Sequence, residues 1–186
     1  HLLGTELGLI VQNGMSAFDP LMRIGKQFIE TLIYHFSLTK QQAKEKAFHA
    51  LSHFFPRDIS SIMQAFPHQL SGGQLQRVMI AITFALSPKL LIADEPTTAL
   101  DAPLRREIIQ SFQQIVATQH STLIFISHDL ALVSEIADDI LVLEKGHLVE
   151  YGDKESVLLS PKENYTRYLI ETSAKLSARF KQLTGI

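Results

Sequence analysis

The chain has 186 residues, 46% of them hydrophobic, which suffices for one domain or for two closely packed subdomains with a substantial core. Its formal net charge is −2 and it holds no long basic run, which argues against a nucleic-acid-binding surface. It has no cysteine, which excludes disulfides and cysteine-ligated metal sites, and no apolar run approaches the roughly 20 residues that span a bilayer.

The first predicted element is a short buried strand over Glu6 to Gln12, followed by a polar loop. The strand begins close to the first residue, which is His1 and not Met, so we expect the chain to be cut from a longer one. From Leu21 to about Ser87 the pattern is helical, with three helices recognisable by their apolar spacing or by their caps: one carrying Ile24, Phe28, Leu32 and Phe36, one begun by a Thr39–Gln42 capping box, and one from Ser71 to before Pro88.

The rest of the chain alternates between strands and helices. Strands are predicted at Leu90–Ala93, Thr122–Ile126, Ile140–Leu143 and His147–Tyr151, and helices from Pro103 to about Ala117, from Asp129 to Ala137 and from Tyr165 to Leu183. This order predicts an α/β fold with a mostly parallel sheet, helices on both sheet faces, and an all-helical insert before Leu90.

The turn Leu70-Ser71-Gly72-Gly73-Gln74 has two possible interpretations. Adjacent glycines let backbone amides approach an anion, the following helix supplies a positive N-terminus, and the Ser71 hydroxyl adds a donor, which together would clamp a phosphate. The alternative is an ordinary helix start capped by Ser71, and for the tripeptide alone that alternative is favoured.

Two adjacent carboxylates, Asp94 and Glu95, end the apolar strand that begins at Leu90. Ligands bind at the carboxyl ends of such strands, so Asp94 would hold Mg²⁺, usually through water, and Glu95 would orient or deprotonate an attacking water. The alternative is a strand that simply ends in polar residues.

Three further polar residues are weaker candidates. His128 follows the next strand and would hydrogen-bond a γ-phosphate or the attacking water, although a histidine there is more often structural. Gln12 would reach magnesium or water through its neutral amide. Asp101 and Asp129 are most simply helix caps.

The order of these motifs carries more information than any one of them. Over essentially its whole length the chain resembles the nucleotide-binding subunits of ATP-binding-cassette (ABC) transporters, which implies a P-loop NTPase-like (RecA-like) core. The resemblance implies roles for each motif: Gln12 as the Q-loop glutamine, Leu70 to Gln74 as the signature, Leu90 to Asp94 as the Walker B strand, Glu95 as the catalytic glutamate, Ala99-Leu100-Asp101 as the D-loop and His128 as the switch histidine.

The resemblance also implies a mechanism and its partners. Two such subunits, identical or different, sandwich two ATP molecules with Mg²⁺, and each signature turn contacts the nucleotide held by the other subunit. We therefore expect five residues to take part in nucleotide binding: Ser71, Gly72, Gly73, Gln74 and Asp101. The subunit pair drives two transmembrane permeases at the cytoplasmic face of the membrane, with an extracytoplasmic substrate-binding protein acting indirectly, and the insert receives the permease.

Finer similarity points to importers of peptides or of nickel and metal chelates, with the metal branch favoured. It is carried by Asn13 to Leu21, Phe66 to Gln69, Asp94 to Asp101 and the tail from Leu159 to Leu169, and for the metal branch by Phe18 to Pro20 and Gly73 to Arg77. The paired His49 and His53 lack a third ligand and are expected to have surface or packing roles.

No G-x-x-x-x-G-K-[ST] phosphate loop occurs in the sequence, and the family's antiparallel β-subdomain is absent too. We therefore expect the chain alone to bind ATP poorly and not to turn it over, and the sheet to lack strands beside Leu90 and Thr122. One alternative is a non-catalytic remnant that acts as a binding or regulatory partner. DNA-repair ATPases share a similar signature, but they predict a long coiled-coil insertion in place of this compact one.

The resemblance divides the chain into four parts. They are a core strand with the Q-loop (1–19), a helical signature subdomain (20–87), a core segment with Walker B, D-loop and switch histidine (88–152), and a C-terminal helical extension (153–186).

Overall fold

The computed structural model describes residues 3–98 and 100–184. The chain forms two compact units, His1–Ile126 and Ser127–Ile186. The predicted α/β class is confirmed by the alternation of strands and helices, while the division into four parts stays a prediction.

The first unit contains a parallel sheet of three strands in the order β1 (Leu7–Ile10), β2 (Leu90–Asp94) and β3 (Thr122–Ile126). Ile10 lies opposite Ala93, and Asp94 lies opposite Ile126. The expectation that strands beside Leu90 are missing is wrong, because β2 is hydrogen-bonded on both sides. Within the described ranges, β3 pairs with β2 alone.

Four α-helices separate β1 from β2: α1 (Ile24–Phe36), α2 (Lys40–Ser52), α3 (Ile59–Gln64) and α4 (Gly72–Leu86). Two short 3-10 helices lie in the same segment, Gly14–Ala17 before α1 and Pro67–Gln69 between α3 and α4. The predicted capping box opens α2, since the Gln42 amide donates to Thr39 Oγ1 (3.3 Å) and the Thr39 amide donates to Gln42 Oε1 (2.9 Å). The short α3 has too few residues to produce a periodic sequence signal.

Helix α5 (Ala102–Gln119) follows β2 and carries Pro103 in its first turn, as predicted. Its Phe112 ring packs edge-on against Phe84 of α4 and against Phe125 of β3. Helix α4 meets β1 at Gly8, where an added Cβ would lie 2.8 Å from Thr83 Cγ2. Both helices therefore cover the same face of the sheet, because Gly8 and Phe125 point to one side of the pleat.

Within the first unit, the described helices leave the opposite face of the sheet uncovered, so the prediction of helices on both faces is not met there. Leu9 is 48% exposed, and Ile124 and Ile126 are each 46% exposed. Parallel sheets are ordinarily covered on both faces, so the strands read as continuously apolar although only one face is buried here. The sequence pattern could not distinguish these two cases.

The second unit contains α6 (Leu130–Ile136), the antiparallel hairpin β4 (Asp139–Glu144) and β5 (His147–Asp153), α7 (Lys154–Leu159) and α8 (Asn164–Thr184). Ile140, Val142 and Val157 form its buried core, with Tyr165 and Leu169 packed against them. The side chains of Leu176, Phe180 and Leu183, which continue the predicted apolar stripe, lie outside the described residues. Across the part of the chain that the structure describes, no helix is long and apolar enough to cross a membrane.

Candidate functional site

The carboxyl ends of the three parallel strands meet at one edge of the first unit. Asp94 is the last residue of β2 and is exposed there, and Glu95 follows it directly. Gln12 lies two residues beyond β1 and is exposed as well. The strand order therefore brings the carboxylates of Asp94 and Glu95 and the amide of Gln12 to the same edge of the sheet.

Glu95 has an unusual backbone conformation. Its φ is +46°, in the left-handed region that costs a residue with a Cβ of order 1–3 kcal/mol. Two hydrogen bonds hold the residue in this state: its amide donates to the carbonyl of Ile126 (3.0 Å), and Thr98 Oγ1 donates to its Oε2 (3.0 Å). Strain held by the surrounding structure is typical of functional sites, and no sequence pattern predicted either this strain or the part played by Thr98.

Asp101 caps helix α5, since its Oδ1 accepts the amide of Leu104 (3.1 Å). Its neighbour Ala99 lies outside the described residues. The cap interpretation of Asp101 is thereby confirmed, and its part in nucleotide binding stays a prediction.

Ser71 caps helix α4 in a complete capping box. Its Oγ accepts the amide of Gln74 (3.2 Å), and its own amide donates to Gln74 Oε1 (2.8 Å). The first bond of the helix ladder joins the amide of Leu75 to the carbonyl of Ser71 (3.0 Å), so the amides of Gly72 and Gly73 precede that ladder. Because the hydroxyl is used as an acceptor in the cap, its hydrogen is still available to donate to an anion.

Gly72 is not required by the fold at its position. It has helical geometry, and a Cβ built there would meet no heavy atom within 4 Å. Alanine would stabilise such a position relative to glycine by up to about 1 kcal/mol. A site where the fold gains nothing from glycine is consistent with close approach of something outside this chain.

Two polar residues of α4, to which the sequence analysis assigned no functional role, are fixed in the structure. Gln76 is buried, and its Nε2 donates to the carbonyl of Val11 (3.1 Å). Arg77 donates from Nη1 to the carbonyl of Phe54 (3.0 Å) and stacks on the Phe55 ring. Burial lowers the pKa of Arg77, and the negative charges of Glu107 and Asp101 act in the opposite direction. The signal in the sequence that could have indicated a role for these residues is the adjacent polar pair Gln76-Arg77 within a mostly apolar helix.

His128 belongs to the second unit, where it is exposed just before α6. The neighbouring Asp129 caps that helix as predicted, its Oδ1 accepting the amide of Ala131 (3.0 Å). The role predicted for His128 stays a prediction.

The oxygen donors at the sheet edge fit magnesium better than a transition metal. A carboxylate and an amide oxygen are hard ligands, and Mg²⁺ is commonly bound by one or two carboxylates together with water and substrate phosphates. No group of three or more His, Cys, Asp or Glu side chains that would hold a metal occurs among the described residues. His49 and His53 contact each other edge-on, with ring centroids 5.2 Å apart, as expected for packing.

Comparisons with known proteins agree with this geometry. A family model described as ABC transporter matches residues 1–98. The chain is 41% identical over 180 residues to the metal-staphylopine import system ATP-binding protein CntD of Staphylococcus aureus (97% of this chain, 66% of the relative). It is 37% identical to the oligopeptide transport ATP-binding protein AppD of Bacillus subtilis (98% and 56%) and to the dipeptide transport ATP-binding protein DppD of Escherichia coli (100% and 57%).

Among solved structures, the dimeric post-hydrolysis state of the ATP-binding cassette MJ0796, bound to ADP and Pi, has the same fold. The TM-score is 0.73 at 24% identity, over 81% of this chain and 63% of the other. The chain thus spans between about half and two thirds of the length of the relatives it matches.

Proposed function

Because the chain belongs to the ABC transporter family, we propose that it is part of an ATP-binding subunit whose ATP hydrolysis drives an importer. The observation that carries the proposal is the edge of the sheet where Asp94 ends β2 and the strained Glu95 follows it. The loop that carries Gln12 leaves the neighbouring strand β1 at the same edge. Since the relatives are longer, this activity is a proposal for the whole protein.

At that edge, Asp94 and Gln12 would hold the Mg²⁺ of a bound nucleotide, and the metal would neutralise charge on the phosphates. Glu95 would orient the attacking water or take its proton. Its backbone bond to Ile126 and its side-chain bond to Thr98 support this role, because they fix the carboxylate before a nucleotide arrives. For His128, in the second unit, we propose the role that the resemblance implies, a hydrogen bond to the γ-phosphate or to the attacking water.

The Ser71 turn would serve a different nucleotide, held by a second ATP-binding subunit. Three features favour an anion arriving from outside this chain: the amides of Gly72 and Gly73 that precede the helix ladder, the hydroxyl hydrogen of Ser71 and the open space at Gly72. Asp101, on the loop before α5, would lie at the same dimer contact.

The remaining partners follow from the relatives. We infer two membrane permeases and, indirectly, a substrate-binding protein, with the chain on the cytoplasmic face of the membrane. The names of the relatives favour peptides or metal–chelate complexes as cargo.

The decisive experiment is Glu95→Gln in the full-length protein. We expect ATP binding to persist and hydrolysis to fall by about 10²–10⁴-fold, the usual contribution of a positioned general base. Glu30→Gln, which removes an exposed carboxylate paired with Lys26 on α1, is the matched control and should leave both unchanged. Normal hydrolysis by the Glu95 variant would refute its role.

A non-catalytic partner that offers only its Ser71 turn is the rival function. The coding sequence upstream of His1 separates the two: an in-frame Gly-x-x-x-x-Gly-Lys-Ser/Thr supports the enzyme, and its absence supports the rival.

A further inference from the structure

We propose that Gln76 is a positioning residue that fixes the loop carrying Gln12 to helix α4, so that Gln12 and the Ser71 turn are held as one unit. The roles of Gln12 and Ser71 rest on the proposed function. The link itself rests on contacts within the first unit.

A partly buried hydrogen bond joins the two segments. Gln76 is 1% exposed, and its Nε2 donates to the carbonyl of Val11, the residue directly before Gln12. Gln76 lies five positions after Ser71 in the helix that Ser71 caps. The end of β1 is therefore attached to the second turn of the signature helix, 65 residues further along the chain.

A second contact lies on the other side of Gln12. Gly14 is buried, and a Cβ built on it would lie 2.9 Å from both the backbone nitrogen and Oε1 of Gln76. Between the two contacts, the Asn13 side chain accepts the amide of Met15 (3.1 Å) and closes the turn. Gln12 therefore lies between Val11, which is hydrogen-bonded to Gln76, and Gly14, which packs closely against it.

The fold alone does not explain a glutamine here. Its Oε1 is buried and has no hydrogen-bond partner in the described part of the chain, which is costly. Methionine would fill a similar volume without burying an unpaired oxygen. The polar side chain is better explained by its bond to the Gln12 loop.

The first experiment measures amide hydrogen exchange of residues 13–18 in the full-length protein without nucleotide. Gln76→Met should speed exchange there about three- to tenfold, the range expected for the loss of one hydrogen bond. Thr83→Val is the matched control, because Thr83 is also buried on α4 but its hydroxyl donates to the carbonyl of Met79 in its own helix (3.0 Å).

A second variant keeps the test decisive if Gln76→Met misfolds. Gly14→Ala should loosen the same loop, since its methyl group would press on the backbone of α4. Loop exchange equal to that of the Thr83 control, in whichever of the two variants folds, would overturn the proposal whether or not the protein hydrolyses ATP.

The second experiment asks whether Gln76 acts through Gln12. In a double-mutant cycle on kcat for ATP hydrolysis, Gln76→Met should cost several-fold in the native protein and little once Gln12→Ala is present. Additive losses would show a merely structural role for Gln76. If neither single variant changes hydrolysis while loop exchange rises, the link stands and the proposed role of Gln12 fails.

Discussion

At the scale of single residues, the site is defined by backbone conformation as much as by side chains. Glu95 occupies the left-handed region because its amide continues the ladder to β3 and its carboxylate is held by Thr98. Composition and spacing predicted a carboxylate at this strand end. The torsion depends on β3, which lies some thirty residues later, so no local pattern could have predicted it.

Gly72→Ala tests the glycine of the signature turn. Since the added methyl group meets open space and the backbone is helical, we expect the melting temperature to be unchanged or slightly raised. ATP-driven association of two subunits and hydrolysis should fall at least tenfold, because the methyl group would obstruct the approach of a phosphate. Thermal melting and ATPase assays on the full-length protein measure the two effects.

Gly146→Ala is the contrasting control. A Cβ added at Gly146 would also meet open space, but the φ of this residue is +82°. Alanine is strained there and should lower stability by about 1 kcal/mol. ATPase activity measured well below the melting temperature should be retained. Loss of stability without loss of activity in Gly72→Ala would remove the support for a phosphate clamp.

At the scale of elements, the start of helix α8 is fixed by a carboxylate from β5. Glu150 accepts the amides of Lys162 (2.8 Å) and Glu163 (3.2 Å) through its two oxygens, and Arg167 donates to the carbonyl of Pro161 (3.0 Å). The apolar spacing from Tyr165 to Leu183 predicted the helix. It could not predict the contact with Glu150, because Glu150 lies in a strand twelve positions before Lys162.

The stability of this junction should depend on pH. The amide of Lys162 holds the pKa of Glu150 below its usual value near 4.5, so the folded state favours the charged carboxylate. The contribution is full above the usual pKa and is lost as pH falls through the lowered, folded-state pKa. Glu150→Gln should therefore lower the melting temperature at pH 7 and have a smaller effect near pH 3.

Melting curves at both pH values measure this difference, with Glu144→Gln on the neighbouring strand as control. Glu144 contacts Lys145 at 3.9 Å on the surface, so its removal should change stability little at pH 7. An equal loss for both variants would contradict the proposed cap.

At the scale of the whole molecule, the positions of the strands and of most helices follow from the sequence, while strand order and coverage of the sheet do not. Alternation and resemblance predicted each strand of the parallel sheet to within a few residues. Within the first unit, the prediction that helices cover both faces is not met, because continuous apolar strands predict burial without specifying which segments supply it.

The absent phosphate loop gives the broadest prediction. The described site offers Asp94 and Gln12 to a metal and Ser71 to a phosphate, and the sequence contains no lysine-bearing loop to hold the nucleotide itself. The 186-residue chain should bind ATP more weakly than the same chain with a phosphate loop supplied upstream, by tenfold or more, and should not turn it over. Calorimetry and phosphate release compare the two proteins, and equal affinity would contradict the prediction.

The open face of the three-stranded sheet has a consequence for handling the chain in solution. Leu9 on β1, and Ile124 and Ile126 on β3, lie on the two strands that flank β2 and present apolar surface to water. With a net charge of only −2, electrostatic repulsion between molecules is weak. The chain on its own should therefore self-associate as its concentration rises, and Ile124→Lys should keep it monodisperse in light scattering.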